Sequence, residues 1–201
     1  MNGRKVGIVA VFIVFHLSLL SPALAAEPQD RVRATLDAVY AVLTDPQLQG
    51  PAKEVERRQR VQRIIRDTFD FAEMGRESLR THWAGLTPQQ REQFVTVFGA
   101  FFERSYDRLV LRFLRNRQAA YGAESVEKDR ARVQTTLVDN KGEELPVDYH
   151  LKYDDQRWSI SDVVVDGARL ASSFRAQFDK IIRTSSYDTL LLRMKIKAEQ
   201  N

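Results

Sequence analysis

Histidine and cysteine supply most catalytic nucleophiles, general bases and transition-metal ligands in proteins, and this chain contains few of them. Its 201 residues include three histidines and no cysteine, which excludes thiol catalysis, disulfide bonds and cysteine-ligated metals. Asp148 and His150 lie two residues apart, so on a strand they would share a face where the carboxylate could pair with the imidazole. Glu144 and Lys152 would lie on the same face of that strand as Asp148 and His150. A face with so many charged residues is instead typical of the solvent-exposed side of an edge strand.

Sequence motifs of other enzyme classes are absent as well. Ser172 and Ser173 lack the flanking glycines of a G-x-S-x-G nucleophile elbow. Neither a G-x-x-x-x-G-K-[ST] loop nor a G-x-G-x-x-G turn occurs, so a nucleotide site is not indicated. We therefore expect a binding protein that is not an enzyme and needs no metal and no cofactor. A hydrolase that uses Asp148 and His150 is the alternative from another class.

Aromatic residues give the positive signal. Four phenylalanines crowd into the stretch from Phe94 to Phe102, at a spacing that is typical of a helix. Such rings either fill a core or line a cavity suited to an apolar ligand. Periodicity does not distinguish these two arrangements, so an adaptor protein with a solid core is also considered.

Helical periodicity covers residues 28–118. The longest helix is predicted to begin at Thr87, which can form a capping box with Gln90, and to run to about Arg115. A shorter helix before it is predicted to hold Trp83. Most of the aromatic residues therefore lie on predicted helices.

Beyond Gly122 apolar and polar residues alternate, which predicts strands. Turns at 139–142 and 154–157 divide this region into an antiparallel meander. A loss of phase near Ser161-Asp162 predicts either a bulge in the last strand or burial of its end on both faces. Two helices follow Gly167. The predicted fold class is α+β, with helices packed over a small curved antiparallel β-sheet meander.

The first 25 residues have the three parts of an export signal. Arg4 and Lys5 precede an apolar run over 6–20, and Ala23-Leu24-Ala25 matches the A-x-A cleavage pattern, so cleavage is predicted after Ala25. An uncleaved membrane anchor is the alternative, but the run is shorter than the roughly 20 residues that a span needs. Residues 26–201 are predicted to form a single domain in the periplasm. Without Arg4 and Lys5 the formal charge falls below +4, which does not favour a nucleic-acid partner.

Two blocks of motifs occur in a recognisable order. The first is Phe71-x-x-Met74, Trp83, Leu86-Thr87-Pro88-Gln89-Gln90-Arg91-Glu92-x-Phe94 and Phe98-x-x-x-Phe102-x-x-x-Tyr106. The second is Trp158-x-Ile160-x-Asp162-Val163-x-Val165-Asp166-Gly167, then Leu170, Ser173, Phe174, Arg175, Phe178 and Tyr187-Asp188-x-Leu190. Over residues 29–197 the chain resembles the toluene-tolerance or MlaC family of periplasmic lipid carriers.

The resemblance implies a phospholipid-binding carrier without catalytic residues. Such a carrier shuttles lipid between outer- and inner-membrane complexes and maintains the lipid asymmetry of the outer membrane. Its helices and sheet enclose an apolar cavity that takes the acyl chains. The implied partners are an inner-membrane ABC transporter lipid complex and an outer-membrane lipoprotein complex, which a monomer contacts transiently. Members related to hopanoid synthesis share these motifs, so a hopanoid or another terpenoid lipid is the alternative cargo.

The candidate lipid-binding residues are aromatic and aliphatic. By matched position, the resemblance assigns to the cavity wall Trp83, Phe98, Phe102, Tyr106, Trp158, Val165, Leu170 and Phe174. The predicted strands add Val147, Tyr149 and Val163. Arginines at 57–66 and 104–115 form two basic stripes, which we consider as docking surfaces for acidic partners or anionic headgroups, or as solvated helix faces.

Overall fold

Helices precede and follow a single antiparallel sheet in the structure, a computed structural model that describes residues 27–200. In chain order the elements are α1 (Pro28–Thr44), α2 (Glu54–Thr68), α3 (Phe71–Leu79), α4 (Thr81–Ala84), α5 (Pro88–Leu114), β1 (Arg117–Glu127), β2 (Arg130–Asp139), β3 (Glu144–Asp154), β4 (Arg157–Val165), β5 (Ala168–Arg169), α6 (Leu170–Thr184) and α7 (Tyr187–Glu199). This arrangement confirms the predicted α+β class.

The predicted signal peptide, residues 1–25, lies outside the described residues. Among residues 27–200, every helix is too short or too polar to serve as a membrane span. The longest of them, α5, begins where the sequence predicts. Thr87 Oγ1 accepts a hydrogen bond from Gln90 N (3.2 Å), and Gln90 Oε1 accepts one from Thr87 N (2.9 Å). This capping box pairs amide groups that the first turn of a helix leaves free.

α5 spans 27 residues, so it is about 40 Å long and its two halves pack against different parts of the fold. The N-terminal half lies in a filled aromatic core, where Phe94 and Phe98 have no exposed surface. The Phe98 ring meets those of Phe174 and Phe178 edge-on, at centroid distances of 5.4 and 6.1 Å, a geometry that adds to the free energy of burial. Gly75 on α3 lets that helix approach closely, since a Cβ there would lie 3.0 Å from the Phe94 ring.

The sheet has the strand order β1-β2-β3-β4-β5 and does not close into a barrel. The predicted bulge in β4 is confirmed. His150 pairs with Asp162 and Leu151 pairs with Ile160, which leaves Ser161 as the extra residue between the two pairs. The middle of β4 is buried on both faces, but Val164 and Val165 at its end are only half-buried, so the bulge is the explanation that holds.

Two predictions about elements are wrong. The strand region begins at Arg117 and not beyond Gly122, because β1 is an edge strand over residues 117–127 that is mostly exposed and lacks apolar alternation. The short helix α3 ends at Leu79 and does not include Trp83. Arg80 breaks it by adopting a φ of 46°, and Trp83 lies in the separate turn of α4.

Candidate functional site

An apolar cavity of about 130 Å³ lies between the C-terminal half of α5 and the sheet. Strands β2, β3 and β4 form one wall, α5 forms the opposite wall, and residues from the end of α2 and the start of α6 complete the lining. Every lining side chain is aliphatic or aromatic. A surface of this kind gains free energy by covering hydrocarbon and offers no counter-ion to a charged group.

Seven of the eleven predicted lipid-binding residues line this cavity, namely Phe102, Tyr106, Val147, Tyr149, Val163, Val165 and Leu170. Val147 pairs with Val165 and Tyr149 pairs with Val163 across β3 and β4, so these four form one continuous patch of the sheet. The bulge at Ser161 changes the phase of β4, which places Val163 and Val165 on the face of the cavity.

The other four predicted residues do not line the cavity. Phe98 and Phe174 belong to the aromatic core around the N-terminal half of α5, and Trp83 packs beside the same core from α4. The Trp158 ring packs on Tyr153 next to the β3–β4 turn, with 5.1 Å between ring centroids. In this conformation the four residues contribute to packing, and lipid contact by any of them stays a prediction.

Eight lining residues were not predicted: Ile65, Phe69, Leu109, Val110, Phe113, Leu114, Leu137 and Leu145. The four from α5 continue the helical stripe that begins with Phe102 and Tyr106, so the periodicity of α5 is the signal that could have found them. Leu137 and Leu145 face each other across the β2–β3 turn. These additions extend the cavity toward the C-terminal end of α5.

Tyr106 and Tyr149 are the two lining residues whose side chains carry a polar group. Burial raises the pKa of Tyr149, and the nearby phenols of Tyr40 and Tyr121 raise it further. Burial and the negative charge of Asp162 raise the pKa of Tyr106. Both phenols therefore stay protonated at neutral pH, and the wall carries no charge.

Ion pairs fasten α2 to α5 beside the cavity. Arg58 Nε lies 3.2 Å from Asp107 Oδ2, and Gln62 Nε2 donates a hydrogen bond of 2.6 Å to the same oxygen. One turn earlier on α5, Glu103 accepts hydrogen bonds from Arg66. We call these five residues the α2–α5 clamp. Asp107 has no exposed surface, so the clamp places a carboxylate fully inside the protein.

The clamp changes the interpretation of the first basic stripe. Arg57 and Arg58 are buried, and Arg57 donates a hydrogen bond to the carbonyl oxygen of Leu48. Arg60 pairs with Glu56 on its own helix at 2.9 Å. Residues 57–66 therefore hold α2 in place and do not present a continuous basic surface.

Asp148 and His150 do not form a catalytic pair in the structure. Asp148 Oδ2 accepts a hydrogen bond of 3.1 Å from Arg132 Nε on the neighbouring strand. His150 lies between Arg132 on β2 and Asp162 on β4. In the part of the chain that the structure describes, Asp148 pairs with an arginine and does not orient the imidazole, so the hydrolase interpretation has no geometric support.

His150 is expected to make stability depend on pH. Burial lowers the pKa of His150 below its usual 6.5, Arg169 and Arg132 lower it further, and Asp162 and Asp148 oppose them. Because the unfolded chain then binds a proton more readily than the folded chain, the free energy of unfolding should fall as the pH drops below about 6.5. Urea unfolding between about pH 8 and pH 5 should show a smaller fall for His150→Gln than for the wild type. Equal pH dependence of the two proteins would contradict this assignment.

Comparisons with known proteins agree with this architecture. The family model described as MlaC protein matches residues 33–195. A solved structure, the phospholipid-binding protein from Ralstonia solanacearum in complex with a phospholipid, is similar with a TM-score of 0.72 and 24% sequence identity. The alignment covers 86% of this chain and 97% of that chain. No curated protein matches the chain by sequence.

Proposed function

Because this chain belongs to the MlaC family, we propose that it is a periplasmic phospholipid carrier that shuttles lipid between outer- and inner-membrane complexes. The observation that carries the proposal is the cavity between α5 and the sheet, which is apolar throughout. The Ralstonia solanacearum protein with the same fold was solved with a phospholipid bound, which supports the cargo class. In this role the protein maintains the lipid asymmetry of the outer membrane and catalyses no reaction.

An apolar cavity suits acyl chains because each methylene moved out of water gains about 0.8 kcal/mol. A lipid that leaves a bilayer exchanges one apolar surrounding for another, so the free energy of its transfer into the carrier is close to zero. The direction of transport therefore depends on partners. We propose that these are an inner-membrane ABC transporter lipid complex and an outer-membrane lipoprotein complex, contacted in turn by a monomeric carrier.

The cavity must widen to take this cargo. An engineered cavity of about 150 Å³ holds a single benzene molecule, and the cavity here has a similar volume of about 130 Å³. Two acyl chains therefore require α5 and the sheet to move apart. Leu109, Phe113 and Leu145 line the cavity and are only half-buried, as are Val165 and Leu170, so the wall is partly exposed both near the β2–β3 turn and where β4 leads into α6.

Lipid extraction tests the proposal. Protein purified from the periplasm without detergent is extracted with organic solvent, and the extract is analysed by mass spectrometry. We expect a stoichiometric glycerophospholipid, and an intact mass for the exported protein that begins at Ala26. A mass that matches a hopanoid would instead identify a terpenoid lipid as the cargo. Absence of lipid from both the native protein and a refolded, lipid-exposed sample would contradict the carrier function.

A further inference from the structure

A polar pocket adjoins the apolar cavity at the end of α5. It lies between α1, the α5–β1 junction and β1, has a volume of about 500 Å³, and shares Leu114 with the cavity. Arg33, Arg115 and Arg117 line it, together with a single acidic residue, Asp37. The pocket therefore has a surplus of positive charge next to an uncharged, apolar space.

Arg117 and Arg33 reach the pocket from opposite elements, β1 and α1, and Tyr40 and Tyr121 line it between them. The ion pair of Arg117 is long, since its Nη2 lies 3.6 Å from Asp139 Oδ2, and its guanidinium lies 5.7 Å from the centroid of the Phe113 ring. The Arg33 guanidinium stacks on the Tyr121 ring, 4.0 Å from its centroid. The arginines of the pocket therefore have few strong ion-pair partners of their own among residues 27–200, and an anionic ligand would supply acceptors for them.

We propose that this pocket binds the phosphate group of the phospholipid whose acyl chains occupy the cavity, an inference that rests on the proposed function. Arginine guanidinium groups match the geometry of phosphate oxygens and bind them through two parallel hydrogen bonds. Arg33 and Arg117 lie on different elements, α1 and β1, so a phosphate between them is held from two sides.

Two features of the pocket oppose an anion. Asp37 carries a negative charge, and the carbonyl groups at the C-terminal end of α5 point their partial negative charge toward the same region. Three arginines outweigh one carboxylate and the helix end. Leu114 lines both the pocket and the cavity, so the two spaces are adjacent, and binding of one lipid in both requires its side chain to move when acyl chains widen the cavity.

Binding of lipids with and without a phosphate tests this site. Delipidated protein is titrated with dihexanoyl phosphatidylglycerol and with dihexanoylglycerol, which has the same chains and no phosphate. Arg33→Gln with Arg117→Gln should weaken phosphatidylglycerol binding about 10- to 100-fold and change dihexanoylglycerol binding less than about twofold. The exposed Arg63→Gln on α2 is the matched control and should change neither. If the double variant does not fold, Arg33→Gln alone is used, because Arg33 is exposed.

The possible outcomes separate three situations. Suppose that the wild type binds lipid. If the double variant then keeps its phosphatidylglycerol affinity, or loses affinity for both lipids equally, the phosphate site is overturned. Glycerol 3-phosphate binding to the wild type as tightly as phosphatidylglycerol would identify a site for soluble phosphate esters and would overturn the headgroup assignment. If the wild type binds neither lipid, the carrier function itself fails and the headgroup site fails with it.

Discussion

Replacing Val147 and Val165 together by phenylalanine is expected to reduce the phospholipid bound to the protein at least about tenfold. The two valines pair across β3 and β4 and both line the cavity. Two added rings occupy part of the space that the acyl chains need, so α5 and the sheet would have to move still further apart to take the same cargo. The same rings fill an existing void, so the free energy of unfolding should change by no more than about 1–2 kcal/mol. Lipid is measured by extraction and mass spectrometry, and stability by urea unfolding.

The matched control for this variant is Val126→Phe. Val126 lies on the edge strand β1 with 52% of its surface exposed, so the same substitution there should leave both lipid content and stability unchanged. A folded Val147→Phe/Val165→Phe protein that retains its full lipid content would show that the cavity between α5 and the sheet is not the cargo site. Val165→Phe alone serves if the double variant fails to fold.

Asp107→Ala is expected to lower the free energy of unfolding by about 3–5 kcal/mol. Asp107 has no exposed surface, and its partner Arg58 is 10% exposed. Removal of the carboxylate leaves the arginine charge inside the protein without a counter-ion, and Gln62 loses its acceptor as well. Urea unfolding of the purified variant measures the loss.

A second clamp residue provides the control. Glu103 is buried, as Asp107 is. Its partner Arg66, however, is 62% exposed, so the arginine charge stays in water when the carboxylate is removed. Glu103→Ala should therefore cost only about 1 kcal/mol. Arg58→Met with Asp107→Leu should recover most of the stability, since an apolar pair of similar size replaces a buried ion pair without loss. Equal losses for Asp107→Ala and Glu103→Ala would refute the role of the buried charge.

Local sequence signals predicted the elements on which the site is built. The start of α5 was predictable because its capping box involves Thr87 and Gln90, which are only three positions apart in the sequence. The bulge at Ser161 was readable because the strand pattern changes phase there. The resemblance to the MlaC family is confirmed by the family model. Each of these signals lies within a short stretch of chain.

Predictions that depend on distant partners succeeded less well. Phe98 and Phe102 lie one turn apart on α5, yet only Phe102 reaches the cavity, because α6 covers Phe98 with Phe174 and Phe178. Arg58 was placed in a basic stripe because its partner Asp107 is far away in the sequence. Side-chain periodicity shows which residues share a helix face, but the element that covers each part of that face is decided by tertiary packing.

Under the proposed function, the division of α5 into a half that lies in a filled core and a half that lines a cavity has a consequence for the protein without bound lipid. Phe94 and Phe98 are enclosed by protein side chains and do not line the cavity. The empty carrier thus keeps the hydrophobic interior that holds its helices together, and release of cargo does not require the chain to unfold or to expose that interior. The N-terminal half of α5 thus stabilises the fold, while its C-terminal half lines the space for cargo.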